Sequence, residues 1–338
     1  MAKMSDVAKL ANVSKATVSR VLQHPETVKE QTRKKVLHAI EQLNYQPNLL
    51  ARQFRRTETK TILVVVPTIM NNVFPQIIGG IDAAANEHGF KVLLGNTNRD
   101  PEKTSIFINE LKQKQVDGMI LLTIPLEEKV INEVAAKYPV VLTSDYNEGL
   151  NIPTVAIDNI SCGREATEHL IKLGHKRIAH ITGPLEISIS RDRLKGYHQA
   201  VLQHEVDLDS LLVQEGDYSF ESGYNQMLKL LAIENPPTAV FAGNDVMAMG
   251  VVKAAKSQGL KVPEDIAVVG FDNIKFSEIF EPALTTIEQP FFEMGKRSME
   301  LLLQQINGEK LTRLKHVLNA RLTIRDSCGF KKATVIEK

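Results

Sequence analysis

The sequence predicts a protein of α/β class in two parts: a small all-α head, then a larger body of two doubly wound α/β subdomains. Three observations carry that expectation. The chain has 338 residues, more than one ordinary domain holds. Its first 46 residues repeat apolar positions at helical spacing, with a surplus of basic side chains. From residue 60 onward, short apolar runs alternate with amphipathic helical segments, twice over.

Composition narrows the class further. Residues 1–60 hold 12 Lys and Arg against 5 Asp and Glu, whereas the other 278 hold 29 against 35. A basic head on a mildly acidic body points to a polyanionic partner for the head. No apolar run approaches the roughly 18 residues that a membrane-spanning helix needs. Met1–Asp6 opens straight into an amphipathic pattern without the apolar core of a secretion signal. The two cysteines, Cys162 and Cys328, have no partner at metal-binding spacing. A cytoplasmic, reduced protein without metal, cofactor or membrane contact is therefore expected.

The head is read element by element. Val7, Leu10 and Ala11 recur at i, i+3 and i+4, so Ser5 to Ala11 is placed as a short helix with Ser5 as its N-cap. Asn12-Val13 makes a brief turn, and Ser14 then caps a second helix, Lys15 to Leu22, whose inner face is Val18, Val21 and Leu22. A third helix, Glu30 to Leu43, brings Val36, Ile40 and Leu43 behind them. Two short helices joined by a tight turn, the second rich in small polar residues and Arg, fit a helix-turn-helix.

The run from Ser5 to Leu22, with Asp6-Val7-Ala8, Val13-Ser14 and Thr17-Val18-Ser19-Arg20, resembles the DNA-binding head of the lactose/galactose repressor (LacI/GalR) family. Asn44-Tyr45-Gln46-Pro47-Asn48 matches the hinge signature that follows it there. The resemblance covers residues 4–326. It implies a transcription regulator, foremost a repressor, that binds double-stranded operator DNA as a homodimer and responds to a small-molecule effector. An activator or dual regulator of the same family is the alternative reading, and a solute-binding protein a remoter one. The implied organisation is a helix-turn-helix domain over 1–46, a hinge over 47–59, and an effector-binding and dimerisation core over 60–338 of periplasmic-binding-protein type.

In that family the second helix lies in the major groove. The resemblance then assigns base contacts to Lys15, Ala16 and Arg20. Lys15 and Arg20 can donate to guanine O6 and N7, and Ala16 can meet a thymine methyl. Ser14, Thr17 and Ser19 are candidate phosphate donors, with Ser14 also serving as a plain helix cap. In the hinge, the resemblance implies minor-groove contact by Asn48, Ala51, Arg52, Phe54, Arg55 and Arg56. Relatives push a leucine between base pairs there; this chain has Phe54, which can wedge a step or pack beneath the core.

The body opens with the apolar run Ile62–Val66, then a helix near Phe74–His88, a strand at Lys91–Gly95, a helix near Glu102–Lys114, and strands at Gly118–Leu122 and Val140–Leu142. A second series runs from Arg177–Ile181 through Ala239–Phe241 to Ala267–Phe271. Ligands of such sheets bind beyond the C-terminal strand ends. The strand ends offer Phe74, Asn244 and Asp272, with Asn71, Asn72, Val73, Asp158 and Asn159 as weaker candidates. The resemblance implies that Phe74 lines the effector, that Arg193 in Arg193-Leu194-Lys195-Gly196-Tyr197 hydrogen-bonds it, and that Tyr218 stands where relatives use an aromatic platform. Arg193 can donate to effector oxygens and Asp272 can accept from hydroxyls or amines, or cap the helix that follows it. Tyr218 offers a stacking platform, or packs on the cleft wall.

The strings around Lys60–Pro67, Asn151–Val155 and Gly259–Asp265 are similar to the cytidine and purine repressor branch. A nucleoside or nucleobase is the first effector implied, with a sugar close behind. Ile187 and Ile189 stand where purine-binding relatives carry Arg and Thr, which argues against a purine. The tail after Arg325 has no leucine heptad, so a dimer is expected, not a tail-joined tetramer. No G-x-G-x-x-G, phosphate-binding loop, G-x-S-x-G or H-E-x-x-H occurs, so no enzyme class is indicated.

Overall fold

The computed structural model describes residues 2–45, 58–70, 72–124, 126–147, 149–206 and 209–330. They divide into two compact units, Met1–Thr59 and Lys60–Lys338. The hinge residues Asn48, Ala51, Arg52, Phe54, Arg55 and Arg56, the weak candidate Asn71, and the tail beyond Phe330 lie outside the described residues.

The head holds α1 (Met4–Leu10), α2 (Lys15–Gln23), a single 3-10 turn (Pro25–Thr27) and α3 (Glu30–Gln42). Ser14 caps α2 as expected, its Oγ accepting from the Thr17 N–H at 3.1 Å. Ser5 does not cap α1. It lies inside the first turn, and the helix begins earlier because the Asp6 carboxylate reaches back to accept from the Lys3 N–H at 2.9 Å. Leu10 is also not on the inner face: it is 49% exposed, and the apolar face of α1 is Val7, Ala8 and Ala11. Asn12, at φ 51°, makes the tight turn into α2, a backbone region that Asn tolerates better than most side chains. Val18, Val21, Val36, Ala39 and Tyr45 complete the buried cluster, with Ile40 and Leu43 half-buried at its edge.

The body is two lobes, each with a six-stranded sheet. The first lobe runs β1 (Thr61–Val66), α4 (Phe74–Glu87), β2 (Lys91–Asn96), α5 (Pro101–Lys112), β3 (Gly118–Leu121), α6 (Glu128–Ala135), β4 (Val140–Thr143) and β5 (Thr154–Ile157). The second runs α7 (Asn159–Lys172), β6 (Ile178–Thr182), α8 (Ser188–Gln203), β7 (Val213–Glu215), α9 (Phe220–Leu231), β8 (Ala239–Ala242), α10 (Asp245–Ser257), β9 (Ala267–Asp272), α11 (Lys275–Ile279) and β10 (Thr285–Glu288). The chain then returns: α12 (Phe291–Ile306) and β11 (Lys315–Leu318) belong to the first lobe, and β12 (Arg321–Thr323) to the second. The strand orders are β11-β5-β4-β3-β1-β2 and β12-β10-β9-β8-β6-β7, and every pairing is parallel except β10 with β12. The two-series pattern expected from sequence is present. The return is an addition: the chain crosses between lobes three times, at Asp158, at Gln289-Pro290 and at Asn319-Ala320.

The central strands are buried throughout because helices cover both faces, whereas the edge strand β2 exposes Leu93 and Leu94. Three helix pairs cross with their backbones in contact, each at two glycines: Gly80 and Gly295 for α4 on α12, Gly163 and Gly196 for α7 on α8, Gly223 and Gly250 for α9 on α10. A Cβ added at any of the six would overlap backbone of the facing helix, so the crossings are closer than side chains allow.

Candidate functional site

The candidate nucleic-acid face is built by α2. Burial of Val18 and Val21 turns the opposite face outward, so Lys15, Ala16 and Arg20 are exposed, with Thr17 and Ser19 half-buried beside them. Ser14 is exposed too, and its hydroxyl pairs with Thr17 Oγ1 at 2.9 Å. The cap reading of Ser14 holds, and the hydroxyl that makes the cap lies at the exposed start of α2.

The candidate effector site forms where strands of the second lobe end. Arg193 projects from α8 and is 4% exposed. Its Nε donates to Asn159 Oδ1 at 3.0 Å, and its Nη1 donates to the Gly243 carbonyl at 2.5 Å, just past β8. Its guanidinium lies 3.5 Å from the centre of the Phe271 ring, and Nη2 lies 3.8 Å from Asp272 Oδ1. Asp272 ends β9 with φ 111° and accepts from Gln289 Nε2 at 2.7 Å. Burial pushes its pKa up to about 6, against the opposing pull of Arg193. Asp272 is not the helix cap. The helix that follows has Ile274 at its N-cap and no side-chain cap; Asp245 accepts from the Ile274 N–H at 2.9 Å while also holding the hydroxyls of Ser277 and Thr286. Burial, then the neighbouring charge of Asp272, raise Asp245 to about 7.

Tyr218 and Asn244 join this group. The Tyr218 hydroxyl meets Ser190 Oγ at 2.6 Å, and its ring lies so close over Gly183 that no larger residue fits there. Asn244 caps α10 through the Met247 N–H at 2.8 Å, and its Nδ2 donates to the Tyr218 carbonyl at 3.2 Å. Asp158 caps α7 through the Ser161 N–H at 3.0 Å, and Asn159, 3% exposed, supports Arg193. Phe74 stands apart. It is buried at the start of α4 in the other lobe, lining a groove with Val66, Thr68 and Ile78. No described hydrogen bond or ring contact joins it to the Arg193 group.

The first lobe instead offers Asp145, which the sequence reading passed over. It follows β4, is 8% exposed, and accepts from the Tyr146 N–H at 2.8 Å and the Ile124 N–H at 3.3 Å. It also accepts from Ser188 Oγ of the second lobe at 2.5 Å, and beside it the Tyr146 hydroxyl donates to Asp192. Burial raises the pKa of Asp145. The signal was legible, since Asp145 lies just past a strand end, where the rule for such sheets looks for ligand contacts. Gln289 also lies just past a strand end, after β10, whose Glu288 pairs with Asp272, but the strand Thr285–Glu288 was not among those expected from sequence. Among the described residues no cluster of metal-ligating side chains occurs.

Comparison with known proteins places both units. Residues 3–48 match the family of bacterial regulatory proteins named for lacI, and residues 167–328 match a periplasmic binding protein-like domain. The chain is 41% identical over 328 residues to the HTH-type transcriptional repressor CytR of Escherichia coli (strain K12), covering 96% of each. It is 37% identical over 324 residues to catabolite control protein A of Priestia megaterium, covering 95% of this chain and 98% of that one. Among solved structures, the Lac repressor dimer bound to operator and the anti-inducer ONPF matches with a TM-score of 0.88 and 31% identity, over 96% of this chain and 98% of that one. With both units and nearly the whole length matched, the chain belongs to the lacI family of bacterial regulatory proteins.

Proposed function

We propose that this protein is a metabolite-responsive transcription repressor of the cytoplasm, binding a palindromic operator as a homodimer. The observation that carries the reading is α2: its core residues turn Lys15, Ala16 and Arg20 outward on a head that matches the lacI family. A single head reads too few base pairs for specificity, and a two-fold pair fits a palindrome. The reading is of a regulator and not an enzyme, in keeping with the family's description. The effector sits between the lobes, with Arg193 and Asp272 as its hydrogen-bonding pair, Tyr218 as a platform, and Asn244 and Phe74 as further contacts. Its class is a nucleoside. The apolar Ile187 and Ile189 at the head of α8 disfavour a purine. A sugar is the second reading, favoured by the Arg193–Asp272 pair and Asp145, a set suited to hydroxyls.

Effector binding changes how the lobes close, and that movement alters whether the two hinge segments over 47–59 can order on the operator. The effector shifts DNA affinity only by its differential affinity for the two states. Calorimetric titration with nucleosides, nucleobases and sugars tests this. Saturable binding of cytidine or another nucleoside, lost in Asp272→Ala and Arg193→Ala, supports the nucleoside reading. Binding of a sugar alone discards it, and full affinity in both variants discards the site.

A further inference from the structure

Arg193 is held from two sides. β8 and β9 supply the Gly243 carbonyl, the Phe271 ring and the Asp272 carboxylate. The other side is α7, and there the fit is tighter than at an ordinary helix crossing. A Cβ at Gly163 of α7 would lie 2.5 Å from the carbonyl oxygen of Arg193 itself and 3.0 Å from its Cα. A Cβ at Gly196, one turn beyond Arg193, would overlap the backbone of α7. One turn before Gly163, Asn159 accepts the Nε hydrogen of Arg193 at 3.0 Å. Asn159 is the first residue of α7, immediately after the chain has crossed from β5 of the first lobe. Backbone contact and side-chain hydrogen bond thus act on one residue from one helix, and that helix starts at a lobe crossing.

We propose that α7 is the positioning element for Arg193, setting its depth through the Gly163–Gly196 crossing and its direction through Asn159, and so tying effector contact to the segment joining the lobes. Each hold has a distinct physical content. The glycines leave nothing between the helices, so any side chain there moves the Arg193 backbone and not merely a flexible neighbour. Asn159 is buried, so losing its acceptor leaves the guanidinium Nε without a partner on that side. The crossing of α4 on α12 at Gly80 and Gly295 is built the same way but does not touch Arg193, and the one proposed effector contact on α4, Phe74, lies six residues before Gly80, which makes this crossing the control for loss of stability alone.

The proposal rests on the reading of Arg193 as an effector contact, and the test separates the two. Wild type, Gly163→Ala, Asn159→Ala, Gly80→Ala and Arg193→Ala are titrated with cytidine and with ribose. Melting temperatures are recorded for each, together with crystal structures of the α7 variants. The expected result is affinity at least about tenfold weaker in Gly163→Ala and Asn159→Ala, but within about twofold of wild type in Gly80→Ala despite its own loss of melting temperature. The crystal structures should then show the guanidinium moved off the Phe271 ring. If Gly163→Ala does not fold, Asn159→Ala decides, since it leaves the helix backbones untouched. Full affinity in the α7 variants while Arg193→Ala loses it overturns the positioning role. If Arg193→Ala also binds fully, the effector reading of Arg193 fails; if neither probe binds wild type, neither cytidine nor ribose is the effector. The crystal structures then decide alone: a guanidinium unmoved in Asn159→Ala overturns the positioning role.

Discussion

Arg20 and Asp245 show how much one side chain's surroundings decide. Arg20 is exposed on α2, so its guanidinium is free to reach a guanine edge, and nothing in the head's core depends on it. Arg20→Ala should weaken binding to the cognate operator by about 1–3 kcal/mol and change random-sequence binding little, as fluorescence anisotropy on both duplexes would show. Equal losses on both would assign it to phosphate contact instead. Asp245 is fully buried, and its carboxyl is raised to about 7, with Asp272 beside it at about 6. Both lie above the usual carboxylate range, so at these two sites the folded body binds more protons than the unfolded chain between about pH 4 and 7. Their contribution to stability is therefore present at low pH and lost as pH rises through 6 and 7. Buried neutral histidines such as His180, lowered to about 3, pull the other way as pH falls, so only a paired comparison isolates the carboxylates. Asp245→Asn should gain melting temperature relative to wild type by roughly 2–4 °C or more from pH 5 to pH 8. A constant difference across that range would remove the carboxyl's titration from the account.

At the scale of elements, what could be read early and what could not follows from the range of each interaction. The strand at β1 and the helix at α4 fall where apolar runs and amphipathic spacing put them, because both signals are local. The start of α1 moved because Asp6, three residues into the helix, competes with Ser5 to satisfy the free N–H groups of the first turn. The inner face of α1 shifted from Leu10 to Ala8 because α2 and α3 approach from that side, a fact of packing and not of period. The helix crossings at paired glycines were not legible either. A glycine in a helix reads as a weak point of that helix until the partner is known. Of the candidate site, Arg193, Tyr218, Asn244 and Asp272 came from strand ends and resemblance, and the structure gathers them. Phe74 came the same way and lies in the other lobe.

Across the whole molecule, the first lobe's edge invites a partner. β2 exposes Leu93 and Leu94, the loop after β1 exposes Ile69 and Met70, and an apolar groove runs between β2 and α4. A second copy of the chain is the partner expected of a repressor reading a palindrome. Analytical ultracentrifugation at micromolar concentration should therefore give twice the chain mass, and Leu94→Glu should shift the distribution toward the single chain. A tetramer or a monomer in the wild type would overturn the dimer, and a dimer that Leu94→Glu leaves unchanged would overturn this edge as its interface.

Class, order of elements and the basic head were all present in linear form, because helical period, strand runs and charge are properties of neighbours along the chain. So was the helix-turn-helix, whose parts lie within 22 residues. The return of α12 and β11 to the first lobe was not, nor the contacts of Asp145 with Ser188 and of Gln289 with Asp272 across or beside the cleft. Those contacts join residues 43 and 17 apart, the first across the lobe crossing at Asp158 and the second between neighbouring strand ends of one lobe, and no local pattern records which strand end will face which. Burial in that folded arrangement, and not residue type, is what lifts Asp245 and Asp272 out of the ordinary carboxylate range.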